Sequence, residues 1–416
     1  MKSTPDIVPS ALLERPIAER LQYFRSKVIG HTSLLKADQD LMKALRHPGD
    51  ATLIFVFGPS GVGKSTLCRR VQARLVEMLQ PELLADPNRL PYIAVEAVSP
   101  EAGSFNWKGY YRRALLATTQ AQSLVDELRI REGRDDTPES SRMGPTGRLG
   151  KRSVFGKHVA IDELRLALED TLHHHRPQAF FVDECQHFAN ITGGRWFMTQ
   201  MDNLKSLASM THTLHVLVGT YGLLNLVNLS AQLARRSIHI HFPRYRFDQP
   251  EDEHAFKRVL LSFQNHMPIP NVPDLMADYE YLYMGCVGCV GMLKNWLYRA
   301  LASALEADEK SLTRRHLEHS YDAAKVLEAA TEVHEGEQAL VGDPRYVSRI
   351  RALLGMPLPA AKSTSTPALS DRTTPKTQDK DKATLATPAQ SKAMSKPKRS
   401  NVQRNPIRDT VGRTQP

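Results

Sequence analysis

Hydrophobic positions along the chain follow two alternating patterns. Short apolar runs typical of buried strands occur at 53–57, 92–98, 179–182, 214–219 and 237–242. Around the first of these runs, apolar residues recur every three or four positions, which predicts helices at 17–24, 34–45 and 67–78. Strands that alternate with helices are typical of a parallel sheet covered on both faces. The pattern therefore predicts a three-layer α/β sandwich with a mainly parallel sheet.

Beyond residue 250 the periodicity is helical and predicts no strand. Helices are expected at 251–263, 274–283, 290–305 and 313–327. Together these helices would form a small lid that consists of residues 249–330. A short helical extension at 331–356 would follow it. Residues 1–50 are expected to form an N-terminal helical segment, and 51–248 the α/β core.

Composition changes sharply at the end of the chain. Residues 357–416 contain twelve Lys or Arg against four Asp, which leaves about +2 of the formal net charge of +10 for the rest. Because this stretch is also rich in Pro, Ser and Thr and nearly free of aromatic residues, we expect a disordered basic tail. It would either tether the protein to nucleic acid or another partner, or only keep it soluble. The stretch 131–158 predicts a flexible basic loop.

Apolar runs and cysteine usage indicate the compartment. No run approaches the roughly 20 residues of a membrane span, and the N-terminal region lacks the apolar block of a signal peptide. Four cysteines in a chain of 416 residues do not suggest a disulfide framework. We therefore expect a cytoplasmic protein without a membrane partner.

A glycine-rich loop with the spacing G-x-x-x-x-G-K-S follows the first predicted strand and opens a helix. Its glycines let backbone N–H groups converge on phosphates at the positive end of the new helix. Lys64 would reach the β- and γ-phosphates, and the Ser65 hydroxyl would ligate Mg²⁺. The residues expected to bind the nucleotide are Gly58, Pro59, Ser60, Gly61, Val62, Gly63, Lys64, Ser65 and Thr66.

Polar residues end two later strands at the edge where parallel sheets place their ligands. Asp183 and Glu184 follow the apolar run 179–182. Asp183 would hold Mg²⁺, mostly through water, and Glu184 would polarise the water that attacks the γ-phosphate. Thr220 ends the run 214–219 and would orient that water or contact the γ-phosphate as a sensor, although a strand-end threonine can also serve only as a cap.

Paired arginines, Arg235 and Arg236, lie at a predicted helix end just before the last strand. In multi-subunit ATPases an arginine at this place reaches the γ-phosphate of a neighbouring subunit. The alternative is a contact with the negative end of the helix dipole. Val28 and His31 could touch an adenine base, or simply pack at the surface.

A predicted helix after the second strand carries Lys108, Arg112 and Arg113 among aromatic residues. Cations could bind nucleic-acid phosphates while the rings pack on sugars or bases, or the helix could simply have a solvated basic face. Lys151 and Arg152 in the basic loop are further candidates for DNA contact.

Cysteine and histidine clusters give weaker signals. Cys286 and Cys289 have the C-x-x-C spacing, but no further ligands at matching spacing lie nearby, so they are interpreted as packing residues. The run 173–175 of three histidines is interpreted as a solvated helix end.

Taken together, the order of motifs resembles the TniB/TnsC family of AAA+ transposition ATPases over roughly residues 15–330. The resemblance rests on the phosphate loop, Asn-Trp-Lys at 106–108, Asp183-Glu184-x-x-His187, Gly219-Thr220, the arginine pair, Phe-Pro-Arg-Tyr at 242–245, and a Gly-x-x-Gly spacing in the lid. Helicase loaders of the IstB type share much of this pattern.

This resemblance implies an AAA+ P-loop fold and ATP with Mg²⁺ as ligands. It also implies homo-oligomers, as rings or helical filaments, on double-stranded DNA, and a link between a target-selection protein and a transposase. Lys108, Arg112 and Arg113 would then line the DNA path.

One position departs from the family pattern. The third lid helix often begins with a sensor arginine, whereas the nearest cation here is Lys294. We therefore expect slow ATP hydrolysis that DNA or a transposase stimulates. A helicase loader, or an ATP-switched scaffold that does not bind DNA, are the alternatives.

Overall fold

A computed structural model describes residues 8–99, 105–133, 159–188, 194–224, 236–341 and 345–356. Within them, five strands form one parallel sheet in the order β2-β3-β4-β1-β5. The strands are β1 (Leu53–Phe57), β2 (Tyr92–Glu96), β3 (Ala179–Asp183), β4 (Leu214–Gly219) and β5 (Ser237–His241).

Helices connect and follow the strands. In chain order they are α1 (Ser10–Leu13), α2 (Ile17–Ser26), α3 (Thr32–Arg46), α4 (Lys64–Ala85), α5 (Trp107–Arg131), α6 (Ile161–His175), α7 (Gly194–Thr211), α8 (Pro250–Asn265), α9 (Tyr279–Cys286), α10 (Val290–Glu306), α11 (Arg314–His319), α12 (Ala323–Val341) and α13 (Arg345–Leu353). A short 3₁₀ helix, Cys185–Phe188, follows β3.

Residues up to Ile350 form one compact unit that contains the sheet and the lid. The second unit covers residues 351–416, of which the structure describes 351–356. These residues complete the last helix and a turn after it.

Both faces of the sheet are covered, as the sequence pattern predicts. Alternate residues of β1 serve opposite cores: Phe55 packs in the core formed with α5, α6 and α7, and Ile54 in the core formed with α3 and α4. All residues of β1 and β4 are buried, which explains why both strands read as continuous apolar runs. The three-layer α/β fold with a parallel sheet is thereby confirmed.

The lid contains α8 to α11 and has its own apolar core. Phe24 of α2 belongs to that core, with its ring centroid 5.9 Å from that of Phe263. Arg20 Nε donates to the Pro268 carbonyl at 2.9 Å. The N-terminal segment therefore does not form a separate layer, since α2 packs with the lid and α3 with the sheet.

Helix bounds in the lid differ from the prediction in two places. The predicted helix 313–327 is divided into α11 and α12: Ser320 is the C-cap of α11, and Asp322 caps the Lys325 N–H at the start of α12 at 3.3 Å. α12 then continues across residue 330, where the lid was expected to end. The helix expected from residue 274 begins only at Tyr279, since Asp274 instead caps a turn at Met276.

Two predicted segments lie outside the described residues. These are the basic tail 357–416 and, except for its first three positions, the basic loop 131–158. Among the helices that the structure does describe, none has the length and apolar character needed to span a membrane.

Candidate nucleotide-binding site

The loop between β1 and α4 has a backbone that its glycines make possible. Gly63, the residue before α4, has a φ of 116°, a value that side-chain-bearing residues rarely adopt. A Cβ on Gly58 would lie 2.1 Å from the Phe242 carbonyl oxygen, so only glycine fits beside the end of β5. The loop therefore wraps over the start of α4, where N–H groups are free of intrahelical partners.

Lys64 folds back over this loop. Its Nζ donates to the carbonyls of Gly58 at 2.9 Å and Pro59 at 2.8 Å. Burial lowers the pKa of Lys64, while the carboxylates of Glu184, Glu332 and Asp183 act in the opposite direction. The ammonium group is thus held at the centre of the loop, among acidic side chains.

Ser65 and Asp183 meet across the site, although one belongs to α4 and the other ends β3. Ser65 Oγ donates to Asp183 Oδ2 at 2.8 Å. A hydroxyl and a carboxylate are hard oxygen donors, the type that Mg²⁺ prefers. The pair therefore fits a magnesium ion held between the loop and the sheet edge.

Glu184 follows directly and has a strained backbone, with a φ of 56°. Its N–H donates to Asp183 Oδ1 at 2.9 Å, which fixes the two acidic residues relative to each other. The Gln186 side chain then joins Glu184 to Thr220: its Nε2 donates to Glu184 Oε2, and its Oε1 accepts from the Thr220 N–H at 3.2 Å. Gln186 is not among the site residues predicted from the sequence. Its only signal there is its position two residues after Glu184.

Thr220 follows β4 at the edge of the sheet where the phosphate loop follows β1. Its hydroxyl accepts from the Gly222 N–H at 3.4 Å and also interacts with the carboxylate of Glu332. The structure thus brings the loop, Asp183, Glu184 and Thr220 to one edge of the sheet.

The lid touches the phosphate loop at the start of α10. Met292 donates its backbone N–H to the Gly61 carbonyl at 3.2 Å, and Gly291 packs directly on Gly61. A cavity beside this contact lies between the lid, the loop and the segment before α3. Its lining includes Val28, His31, Val62, Gly63, Thr66 and Lys294.

Two of the residues expected near a base, Val28 and His31, therefore lie in that lining. His31 is buried, its Nδ1 is 2.9 Å from the Tyr245 hydroxyl, and burial lowers its pKa to about 4. The imidazole is therefore neutral near pH 7 and can take part in stacking or hydrogen bonding, not in charge pairing.

Lys294 also lines the cavity, but its ammonium group has other partners. Nζ donates to the carbonyls of Arg25 at 2.8 Å and Lys27 at 2.6 Å. These bonds hold α10 against the N-terminal segment.

Arg236 lies before β5, at the amino-terminal edge of the sheet, and its carbonyl accepts from the Thr52 N–H at 3.1 Å. The phosphate loop follows the opposite, carboxyl-terminal end of β1. Arg235 lies outside the described residues.

On α5, Lys108, Arg112 and Arg113 are half-buried in the first turns, and the Nε atoms of both arginines are buried. The aromatic residues between them do not point outward as a nucleic-acid platform requires. Tyr110 and Tyr111 are fully buried and pack with Trp107, Phe105 and Phe188. Stacking of Tyr110 and Tyr111 on bases is therefore excluded, because both rings form part of the protein core.

The remaining candidates are the basic-loop residues, the two lid cysteines and the histidine run. Lys151 and Arg152 lie outside the described residues. Cys286 and Cys289 are buried in the lid, as packing residues should be. The histidine run is only partly solvated, because His175 is buried and its Nδ1 bonds to the Asn88 carbonyl at 2.7 Å.

Residues 46–227 match a family model described as an AAA domain. The match covers less than half of the chain. The five-stranded parallel sheet and the phosphate loop give the chain an AAA+ P-loop fold, and the lid follows the matched residues.

Solved structures with a similar fold have low sequence identity to this chain. The Aeropyrum pernix ORC1 protein in complex with DNA is 16% identical, with a TM-score of 0.43, 72% of this chain covered and 68% of that one. The ADP form of A. pernix ORC2 is 14% identical, with a TM-score of 0.42 and coverages of 72% and 71%. A Walker-type ATPase of Pyrococcus abyssi is 18% identical, with a TM-score of 0.40 and coverages of 83% and 89%. No curated protein matches the sequence.

Proposed function

We propose that this protein is a Mg²⁺-dependent ATPase that binds double-stranded DNA as an oligomer and regulates DNA transposition by recruiting a transposase to a target. The observation that carries the ATPase part is the approach of Ser65 to Asp183 at 2.8 Å, with Lys64 and Glu184 beside them. These groups come from the phosphate loop with the start of α4 and from the end of β3, and phosphoryl transfer needs all of them in one place.

Each side chain has a distinct task in hydrolysis. Lys64 exchanges its bonds to the loop carbonyls for the phosphate oxygens of ATP. Ser65 and Asp183 would hold Mg²⁺, which neutralises phosphate charge when bound. Glu184 polarises the water that attacks the γ-phosphorus, so the bond to the β–γ bridging oxygen breaks and ADP leaves. Thr220, fixed through Gln186, orients that water.

Oligomer formation is supported by the position of Arg236. Because Arg236 and the phosphate loop lie at opposite edges of the sheet, the arginine pair would serve a neighbouring subunit's ATP and not its own. The same arrangement would make hydrolysis depend on assembly.

DNA binding is supported by the basic residues of α5 and by the basic composition of 357–416. With the aromatic rings buried, contacts would be ionic, to phosphates, and therefore independent of sequence and sensitive to salt. The role in transposition, with a transposase and a target-selection protein as partners, rests on the motif resemblance over residues 15–330.

Sedimentation of the purified protein with duplex DNA tests this proposal under four conditions: ATP, a non-hydrolysable analogue, ADP and no nucleotide. We expect large DNA-bound assemblies only with a triphosphate. Lys64→Ala should abolish nucleotide binding and assembly, whereas Glu184→Gln should assemble and not hydrolyse ATP.

Different failures contradict different parts of the proposal. Wild-type hydrolysis by Glu184→Gln would remove Glu184 as the activating base. A monomer that ignores DNA under all four conditions would contradict DNA binding and transposition, and would leave an ATP-switched scaffold. Assembly on DNA together with binding to a replicative helicase, and not to a transposase, would favour a helicase loader.

A further inference from the structure

Helix α12, which follows the lid, returns to the phosphate site of the AAA domain. Its residue Glu332 faces the phosphate loop: the carboxylate interacts with the Ser60 backbone N–H, the Thr220 hydroxyl and the charge of Lys64. Burial raises the pKa of Glu332, while these three groups act in the opposite direction. A backbone N–H of the loop, a sensor hydroxyl and the loop lysine are the groups expected to contact a γ-phosphate.

One oxygen of this carboxylate has no partner in the part of the chain that is described. Glu332 Oε1 is buried and accepts no hydrogen bond there. A buried carboxylate oxygen without a partner is costly, so its position needs an explanation other than folding stability.

Two contacts farther along α12 hold it in place. Gly336 packs on Tyr221, the residue after Thr220, so closely that a Cβ would lie 2.2 Å from the ring. The next residue, Glu337, accepts two hydrogen bonds from Arg244, at 2.9 and 3.0 Å. Arg244 also donates to the Tyr283 hydroxyl at 2.8 Å, which joins α12 to α9 of the lid. These contacts lie outside the phosphate loop, so they hold α12 beside the loop without help from a nucleotide.

We propose that Glu332 makes the site distinguish ADP from ATP: its carboxylate takes the place of the terminal phosphate, ADP binds beneath α12, and ATP binds only when α12 moves away. This inference rests on the proposed function, because it assumes that the loop binds a nucleotide. It assigns to Glu332 a role in nucleotide selection, and to α12 the role of a strap that triphosphate releases.

Charge explains the selection. Two anions close together in a site of low dielectric repel strongly, so the carboxylate and a γ-phosphate cannot share Ser60, Thr220 and Lys64. ADP lacks that phosphate and leaves the contacts of Glu332 unchanged. ATP therefore loses part of its binding free energy to the displacement of α12, whereas ADP does not.

Calorimetric titration of the full chain with Mg-ADP and with a non-hydrolysable Mg-ATP analogue tests the proposal in Glu332→Gln, which keeps the shape and removes the charge. The ratio of the analogue Kd to the ADP Kd should fall about tenfold. Glu335→Gln is the matched control, because Glu335 lies on the same helix and is exposed. Its ratio should equal that of the wild type.

Gly336→Ala tests the strap without changing the phosphate site, since the added methyl group pushes α12 away from Tyr221. It should lower the same ratio. Hydrogen exchange gives a second readout: the amides of α12 should exchange faster with the ATP analogue than with ADP.

An unchanged ratio in Glu332→Gln, or equal exchange of α12 with both nucleotides, would overturn the inference and leave the proposed ATPase intact. If the wild-type chain bound neither nucleotide, the proposed function would itself be wrong.

Discussion

The Gln186 side-chain oxygen accepts a hydrogen bond from the backbone N–H of Thr220 at 3.2 Å. Through its amide nitrogen the same side chain holds the carboxylate of Glu184. The group expected to activate water and the residue expected to orient it are thus linked by one glutamine. Because Gln186 would act on the reaction through Glu184 and Thr220, its loss should lower kcat more than it weakens nucleotide binding.

Gln186→Met keeps the length of the side chain and removes both hydrogen bonds. We expect kcat for ATP hydrolysis to fall about 10- to 100-fold, because Glu184 loses its orientation, while the Kd for ATP changes less than about threefold. Phosphate release and nucleotide titration measure the two quantities. Gln120→Met, at an exposed position of α5, is the control. A parallel loss of affinity and kcat would show that Gln186 shapes the site in general.

Local signals explain why much of the site could be predicted from the sequence. The phosphate loop is one contiguous motif, and its function follows from the strand before it and the helix after it. Asp183 and Glu184 end a buried strand, and in a parallel sheet such ends meet at one edge. These inferences need no knowledge of how distant segments pack.

Long-range packing explains what was missed. Glu332 reaches the site only because α12 crosses the expected end of the lid, and nothing around residue 332 marks it as a phosphate neighbour. From the sequence, the aromatic residues of α5 could pack on nucleic acid or belong to a helix with a solvated basic face. The spacing of three and four between Trp107, Tyr110 and Tyr111 is also that of a buried helix face. Only the position of Phe188 and Phe105 decides between the two.

The contact between the lid and the loop leads to a prediction for Gly291. A Cβ there would lie 2.5 Å from the Gly61 carbonyl oxygen, so Gly291→Ala must move α10 away from the phosphate loop. We expect nucleotide affinity to fall about tenfold, since the cavity lined by Val28, His31 and Lys294 lies beside this contact, and stability to fall by about 1–2 kcal/mol. Titration and denaturant unfolding measure these effects.

Gly30→Ala provides the comparison, because a Cβ at Gly30 would meet no atom within 4 Å. This variant should bind nucleotide as the wild type does. If Gly291→Ala also bound normally, the lid would not need its close approach to the loop.

The magnesium site predicts a dependence on the metal ion. Ser65→Ala removes the hydroxyl that lies 2.8 Å from Asp183 Oδ2, and should weaken binding of Mg-nucleotide about tenfold. Binding of the nucleotide in excess EDTA should be equal in variant and wild type, because Lys64 and the loop N–H groups are unchanged. Titrations with and without Mg²⁺ measure the difference. An equal loss under both conditions would indicate damage to the loop.

Acid stability should depend on His215, which is fully buried in β4 with its Nδ1 2.8 Å from the Thr213 carbonyl. Burial lowers its pKa from 6.5 to about 4. As the pH falls below 6.5, His215 becomes protonated in the unfolded chain but stays neutral in the folded chain. The free energy of unfolding therefore decreases between pH 6.5 and about 4, by about 3 kcal/mol at most.

His215→Gln retains a donor for the Thr213 carbonyl and cannot titrate. Its free energy of unfolding, measured in denaturant from pH 7.5 to 4, should therefore decline less steeply than that of the wild type, even if it is lower at pH 7.5. His173→Gln, at an exposed helix end, should keep the wild-type slope. Identical slopes for all three proteins would mean that His215 gains its proton without unfolding, and that the buried imidazole of β4 does not limit the stability of the sheet in acid.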